Sequence, residues 1–171
     1  METYLAIASR RDERQYRSGA LPPAAVERIL DAGRLSGSAR NAQPWTFVIP
    51  ESRERVEAVA AAVYAPQNVL SAALVVAIVV SGKGPVSFDA GRAAQSMLLA
   101  AWNEGVASCP NGISDQAAAR IALDCGEEDT PVIVLSFGLP ARDRRVESRS
   151  AEEWSARANR RSLPEVVRRL G

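Results

Sequence analysis

Two uninterrupted apolar runs constrain the fold of this chain more than any other feature. ALVVAIVV, residues 73–80, and TPVIVLSFGLP, residues 130–140, are rich in β-branched residues and show no polar–apolar alternation. A strand wet on one face alternates with period two, so runs of this kind suit central strands covered on both faces. The most apolar helical stretch, FDAGRAAQSMLLAAWNE at 88–104, offers a cover: Met97, Leu98, Leu99 and Trp102 leave little room for a wet face. Its composition implies burial, with another subunit as one candidate cover.

Other elements follow from spacing and breakers. TYLAIAS, residues 3–9, reads as a short helix running into RRDERQYRSG, a basic loop ending at Gly19. Pro22 and Pro23 suit a first helical turn, with Val26, Ile29, Leu30 and Ala32 following at helical spacing to about Leu35. WTFVIP (45–50) reads as a strand, ESRERVEAVAAAVY (51–64) as a helix and APQNVLS (65–71) as a turn. GVASCPNGI (105–113) is a Gly/Pro/Asn-punctuated loop, and SDQAAARIALDCG (114–126) is a helix with Ser114 as its cap candidate. LPEVVRRL, 163–170, predicts a short amphipathic helix after an Arg-rich tail. With 171 residues, no repeat and no long linker, residues 1–171 are expected to form a single domain.

The chain contains no histidine, which removes the commonest general base, the usual zinc ligand and the middle member of serine and cysteine triads. Cys109 and Cys125 are too few for a disulfide framework, so a reduced, cytoplasmic setting is expected. No apolar stretch approaches bilayer length, and the N-terminus lacks a secretory pattern. The formal net charge of +1, with no run of like charge, gives no reason to expect a nucleic acid or membrane partner. SGKGPVS lacks the spacing and the Ser/Thr of a phosphate-binding P-loop, and no G-x-G-x-x-G follows a strand.

Three segments remain as candidates for chemistry. SARNAQPW (38–45) places Ser38, Asn41 and Gln43 before a Pro44–Trp45 pair, and local physics reads it equally as an Asx-type turn or as a polar binding rim. Arg10, Arg11, Arg14 and Arg17 near one end, with Arg157, Arg160 and Arg161 near the other, could grip one phosphate. Spacing alone favours a solvated surface in which they pair with Asp12, Glu13, Glu152 and Glu153. The 105–113 loop is unspecific by itself, and Trp45, Trp102 and Trp154 read as packing anchors.

Taken in order, these segments resemble the nitroreductase family of FMN-dependent oxidoreductases. The resemblance runs from about residue 5 to the C-terminus and rests on RRDERQY, ERILDAGRLSGSARNAQPW, FDAGRAAQSMLLAAWNEGVASC, VIVLSFGLP and RRSLPEVV. It implies an α+β fold, a central mostly antiparallel sheet flanked by helices, and a homodimer with an FMN in each of two interface clefts. By motif position, Arg10, Arg11, Arg14, Arg160 and Arg161 would serve the FMN phosphate and ribityl chain. Ser38 and Asn41 would meet the flavin from across the subunit interface, and Pro110, Asn111 and Gly112 would cover the isoalloxazine with backbone N–H groups. Asn68 lies near another cofactor-contacting position, while Gln43 and Trp45 support their loop.

The missing histidine fits this resemblance, because the flavin carries the chemistry and the protein binds and tunes it. The implied cycle is ping-pong: NADH or NADPH delivers hydride and leaves, and an electron-poor small molecule such as a nitroaromatic or quinone accepts. No metal and no catalytic side chain is implied. The chain departs from the pattern at Asp12, where a phosphate-binding Ser is usual, and at Gly37, where Pro is common. A carboxylate at 12 would repel phosphate unless it pairs with a nearby Arg. Its presence keeps open a protein that stores or senses FMN, or a scaffold that has lost it, and relatives with other flavin chemistry remain a further alternative.

Overall fold

The structure is a computed structural model describing residues 1–170. The chain forms two compact units: Asp12–Asp143, and a smaller one made from Met1–Arg11 and the segment from Arg144 onward.

In the larger unit a five-stranded, wholly antiparallel sheet is assembled from β1 (Tyr16–Arg17), β2 (Trp45–Val48), β3 (Leu74–Val80), β4 (Ala107–Asn111) and β5 (Thr130–Pro140). β3 and β5 are the two apolar runs, paired along nearly their full length. Both faces of β3 are buried, as its composition requires. Val76, Ile78 and Val80 join one core with Leu135 and Phe137, while Val75, Ala77 and Val79 join a second core with Val134. The first core lies under α2 (Pro23–Arg34) and α5 (Val86–Asn103). The second is closed by α3 (Arg53–Ala61), α4 (Pro66–Leu70) and α6 (Gln116–Ala122). Pro131 can sit in a central strand because the register shifts between Ile78 and Val79, and the bulge removes the need for its missing N–H.

Four sequence expectations are corrected. The Gly/Pro/Asn-punctuated segment at 105–113 contains β4, which pairs with β5 alone; an edge strand tolerates Pro110. APQNVLS holds the short helix α4 with Pro66 in its first turn, and α6 is capped by Asp115, which accepts the Ala118 N–H at 2.9 Å, in place of Ser114. Residues 16–17, within the expected basic loop, form β1. α5 is buried along most of its surface but leaves Phe88, Gly91, Arg92 and Gln95 exposed, one stripe at helical spacing.

In the smaller unit α1 (Thr3–Ser9) packs on α7 (Ala151–Ala156), burying Ala6, Ser9 and Val146. Trp154 is the anchor: its indole N–H donates to the Val146 carbonyl at 2.9 Å, and the guanidinium carbons of Arg149 and Arg11 lie 5.1 and 5.8 Å from its ring centroid. The expected C-terminal helix is reduced to α8 (Leu163–Val166), with a capping box between Ser162 and Glu165.

Candidate functional site

The 38–43 segment is a strained loop whose conformation several contacts hold in place. Arg40, Asn41 and Gln43 all have positive φ, at 54°, 56° and 48°. Asn tolerates that region, but Arg and Gln do not favour it, so such a cluster persists only where its surroundings fix it. Ser38 Oγ accepts the Gln43 N–H at 2.8 Å, Ser38 O accepts the Asn41 N–H at 3.0 Å, and the Gln43 side chain donates to Asn41 O at 3.3 Å. Ser38, not an Asx turn at Asn41, closes the loop. Gln43 supports it, as expected, and Asn41 is exposed.

A carboxylate that the sequence reading did not single out fastens this loop to α5. Asp89, 2% exposed, accepts the Ala39 N–H at 3.0 Å through one oxygen and faces Arg92 at 3.8 Å through the other. Arg92 in turn lies against Gly37, where an added Cβ would come within 2.4 Å of its guanidinium. The departure from Pro at position 37 is therefore matched to the arginine that covers it. A lone acid in the first turn of an otherwise apolar helix was the signal that could have revealed Asp89.

The second segment, 107–113, is positioned by a buried polar network. Asn68 and Asn111, both expected near the cofactor, turn toward each other: Asn68 Nδ2 donates to Asn111 Oδ1 at 2.9 Å. Asn111 Nδ2 donates at 3.1 Å to Cys109 O, Val134 O and Ser136 Oγ, and Ser136 Oγ donates to Cys109 O at 3.2 Å. Tyr16 completes the network from β1, 2.8 Å from Ser136 Oγ. Burial pushes its phenol up to about 12, partly countered by the bond to Ser136. Both asparagine side chains are thus buried and engaged inside the protein, so a ligand at this segment would meet backbone. Pro110 and Gly112 are partly accessible there.

Gly112 anchors the neighbouring chain. Its carbonyl accepts the Tyr64 N–H at 3.1 Å, Ala62 O accepts the Ser114 N–H at 2.8 Å, and Val63 bridges Ile113.

Among the arginines, Arg11 is committed locally. Its guanidinium donates to Ala8 O and Arg10 O at 2.8 Å and to Trp154 O at 3.3 Å, which fixes α1 to α7. Arg160 is exposed and donates to Ala158 O at 3.2 Å; Arg161 is exposed beside it. In the larger unit Arg14 is largely exposed, lies 3.9 Å from Asp12 Oδ2, and is held more firmly protonated, chiefly by its hydrogen bond with Cys109 and next by Coulombic attraction to that side chain. Asp12 therefore has the arginine partner that would offset its repulsion toward an anion. Among the described residues no cluster of acidic or thiol groups could hold a metal ion, and no helix is long and apolar enough to cross a membrane.

Known proteins resemble this chain in sequence and in fold. The family model described as the nitroreductase family matches residues 7–82 and 86–139. A protein of Archaeoglobus fulgidus provisionally named NADH dehydrogenase/NAD(P)H nitroreductase is 31% identical over 78% of this chain and 83% of its own length. One of the same name from Methanothermobacter thermautotrophicus is 28% identical over 82% and 78%. Among solved structures, a protein of Desulfovibrio desulfuricans provisionally named a nitroreductase and solved in complex with FMN superposes with a TM-score of 0.83 at 25% identity, covering 100% of this chain and 98% of that one. A nitroreductase family protein of Clostridium difficile superposes at 0.82 with 19% identity, each chain covered to 98%. With the family model matched over most of its length, this chain belongs to the nitroreductase family.

Proposed function

We propose that the protein is an FMN-dependent oxidoreductase that passes reducing equivalents from NADH or NADPH to an electron-poor small molecule, a nitroaromatic or a quinone, in two half-reactions sharing one site. The observation that carries this reading is the strained 38–43 loop. Three left-handed residues in one short loop, held by Ser38 and flanked by the bond from Ala39 to the buried Asp89, are a local expense, and such strain collects where a ligand is held. The FMN-bound relative from Desulfovibrio desulfuricans supports the choice of ligand.

FMN would supply the hydride and electron chemistry; the chain would bind it and control its surroundings. We assign the phosphate to Arg10, Arg14 and Arg160 by their place in the family pattern, with Arg161 beside them. Arg11 is left out because its donors are spent on Ala8, Arg10 and Trp154. Ser38 and Asn41 are assigned to the flavin from a second subunit. Phe88, 68% exposed near the start of α5, supports a homodimer, because a large apolar ring left at the surface gains by being covered. The backbone at Pro110–Gly112 is assigned to the ring system, with Asn68 and Asn111 acting on it from behind through the network that ends at Tyr16. Backbone donors so fixed would stabilise the negative charge gained on reduction without reorganising.

The test is the visible spectrum of purified, FMN-loaded protein under anaerobic conditions. Addition of NADPH or NADH is expected to bleach the flavin absorbance, and a quinone to restore it. A loaded protein inert to both nicotinamides would remove the oxidoreductase reading and favour an FMN-storing or FMN-sensing protein. Asp12 is the residue that gives that second reading its footing.

A further inference from the structure

Tyr16 crosses a strand of the sheet, and the strand makes room for it. Its ring lies over Gly138 of β5, where an added Cβ would come within 2.5 Å of Tyr16 Cγ and 2.7 Å of its Cβ and Cδ1. Gly138 does not have positive φ, so contact with the ring, not conformation, calls for glycine there. The phenol then reaches Ser136, two residues along the same face of the strand.

The hydrogen bonds beyond that point run in one direction. Ser136 has a single hydroxyl hydrogen, which goes to Cys109 O at 3.2 Å. At the 2.8 Å contact between the two hydroxyls Tyr16 is therefore the donor, with Ser136 O as a second acceptor at 3.3 Å. Asn111 Nδ2 donates to the same Ser136 Oγ at 3.1 Å, which fills both of its lone pairs. These bonds orient the Asn111 amide, whose oxygen is left to accept from Asn68 Nδ2. Ser136, Asn111 and Asn68 are 0%, 3% and 7% exposed, so solvent does not replace a bond lost from this chain. Pro110 lies between Cys109 and Asn111 and has no N–H, so side-chain bonds at those two neighbours hold the backbone around it.

We infer that Tyr16 is a positioning residue: its hydroxyl, acting through Ser136 and Asn111, raises the reduction potential of a flavin bound at the Pro110–Gly112 backbone. This rests on the oxidoreductase reading and deepens it. Reduction adds negative charge to the flavin ring, and backbone donors held in place stabilise that charge better than donors free to shift. The oxidised ring is neutral and gains little from the same rigidity. Removing the Tyr16 hydroxyl frees the Ser136 and Asn111 side chains, and the effect falls on the reduced form.

The experiment measures the midpoint potential of FMN bound to the parent, Tyr16→Phe, Ser136→Ala and the double variant, by anaerobic equilibration with a reference dye and a chemical reductant. Tyr16→Phe keeps the ring over Gly138 and deletes only the hydroxyl. Its potential is expected to fall by about 30 mV, a tenfold loss of affinity for reduced relative to oxidised FMN in a two-electron couple. Its dissociation constant for oxidised FMN, read from fluorescence quenching, is expected to stay within about twofold of the parent's. Ser136→Ala is expected to give a similar fall, and the double variant no more than either single change, because all three break one chain of bonds. A Tyr16→Phe potential equal to the parent's would overturn the inference, whether or not FMN binding had weakened, and so would a double-variant shift equal to the sum of the two single shifts. Neither outcome touches the oxidoreductase reading, which falls if NADH and NADPH both leave the loaded parent unbleached while the dye titration still reports its potential. Failure of the parent to take up FMN would remove both readings together.

Discussion

Asp12 and Tyr16, four residues apart, behave in ways their positions alone would not announce. Asp12 breaks the family pattern with a negative charge, yet its carboxylate lies 3.9 Å from Arg14. Half-exposed pairs of this kind are worth little in stability. On the proposed function the consequence is for binding: Asp12 would compete with the FMN phosphate for the same guanidinium. Asp12→Ser is therefore expected to tighten FMN binding severalfold, measured by quenching of flavin fluorescence, with unchanged thermal stability. Tyr16 is a neutral phenol sealed against Ser136. Its acidity is displaced upward to about 12, so the folded state keeps the proton that the unfolded chain gives up above about 10. The stability this supplies is complete below pH 10 and lost as pH rises toward 12. Urea unfolding of parent and Tyr16→Phe should show the parent losing of order 2 kcal/mol relative to the variant across that interval.

At the scale of elements, the association between the 38–43 loop and α5 rests on Asp89. Asp89→Ala removes the acceptor for the Ala39 N–H and the partner of Arg92 together, and should cost about 2 kcal/mol in urea unfolding and weaken FMN binding. Asp89→Asn keeps an acceptor and should restore most of the stability. Elements built on local rules were legible in the sequence: α1 matches its expected bounds, α2 starts at the proline that marks it, and β3 and β5 lie where continuous apolar runs require them. β4 and α4 were not. Their residues carry the Gly, Pro and Asn of loops, and they are ordered by tertiary partners: β4 by its ladder with β5, α4 by burial of Asn68 and Val69. The site was legible to the same degree. The motif order singled out the loop and the turn, and a lone acid in the first turn of α5 hinted at Asp89, but Tyr16 and Ser136 became visible only through a contact between residues 120 positions apart in sequence. Asn68 and Asn111 were each expected near the cofactor, and the bond between their side chains could not be read from the sequence.

At the scale of the whole molecule, the sheet of the larger unit has both faces covered and carries the 38–43 loop and the 107–113 segment, and on the proposed function these would hold a flavin whose phosphate is met by arginines. A flavin would carry the hydride and electron chemistry itself, so the absence of histidine is compatible with the proposed function. The most direct test is an equilibrium titration of FMN into flavin-free protein, followed by fluorescence quenching, for the parent and for the double variant Arg14→Ala/Arg160→Ala. The account predicts saturable binding at one FMN per chain and, for the double variant, an affinity at least a hundredfold weaker, about 3 kcal/mol. Parent protein that leaves flavin fluorescence unquenched, or a double variant that binds FMN as tightly as the parent, would contradict it.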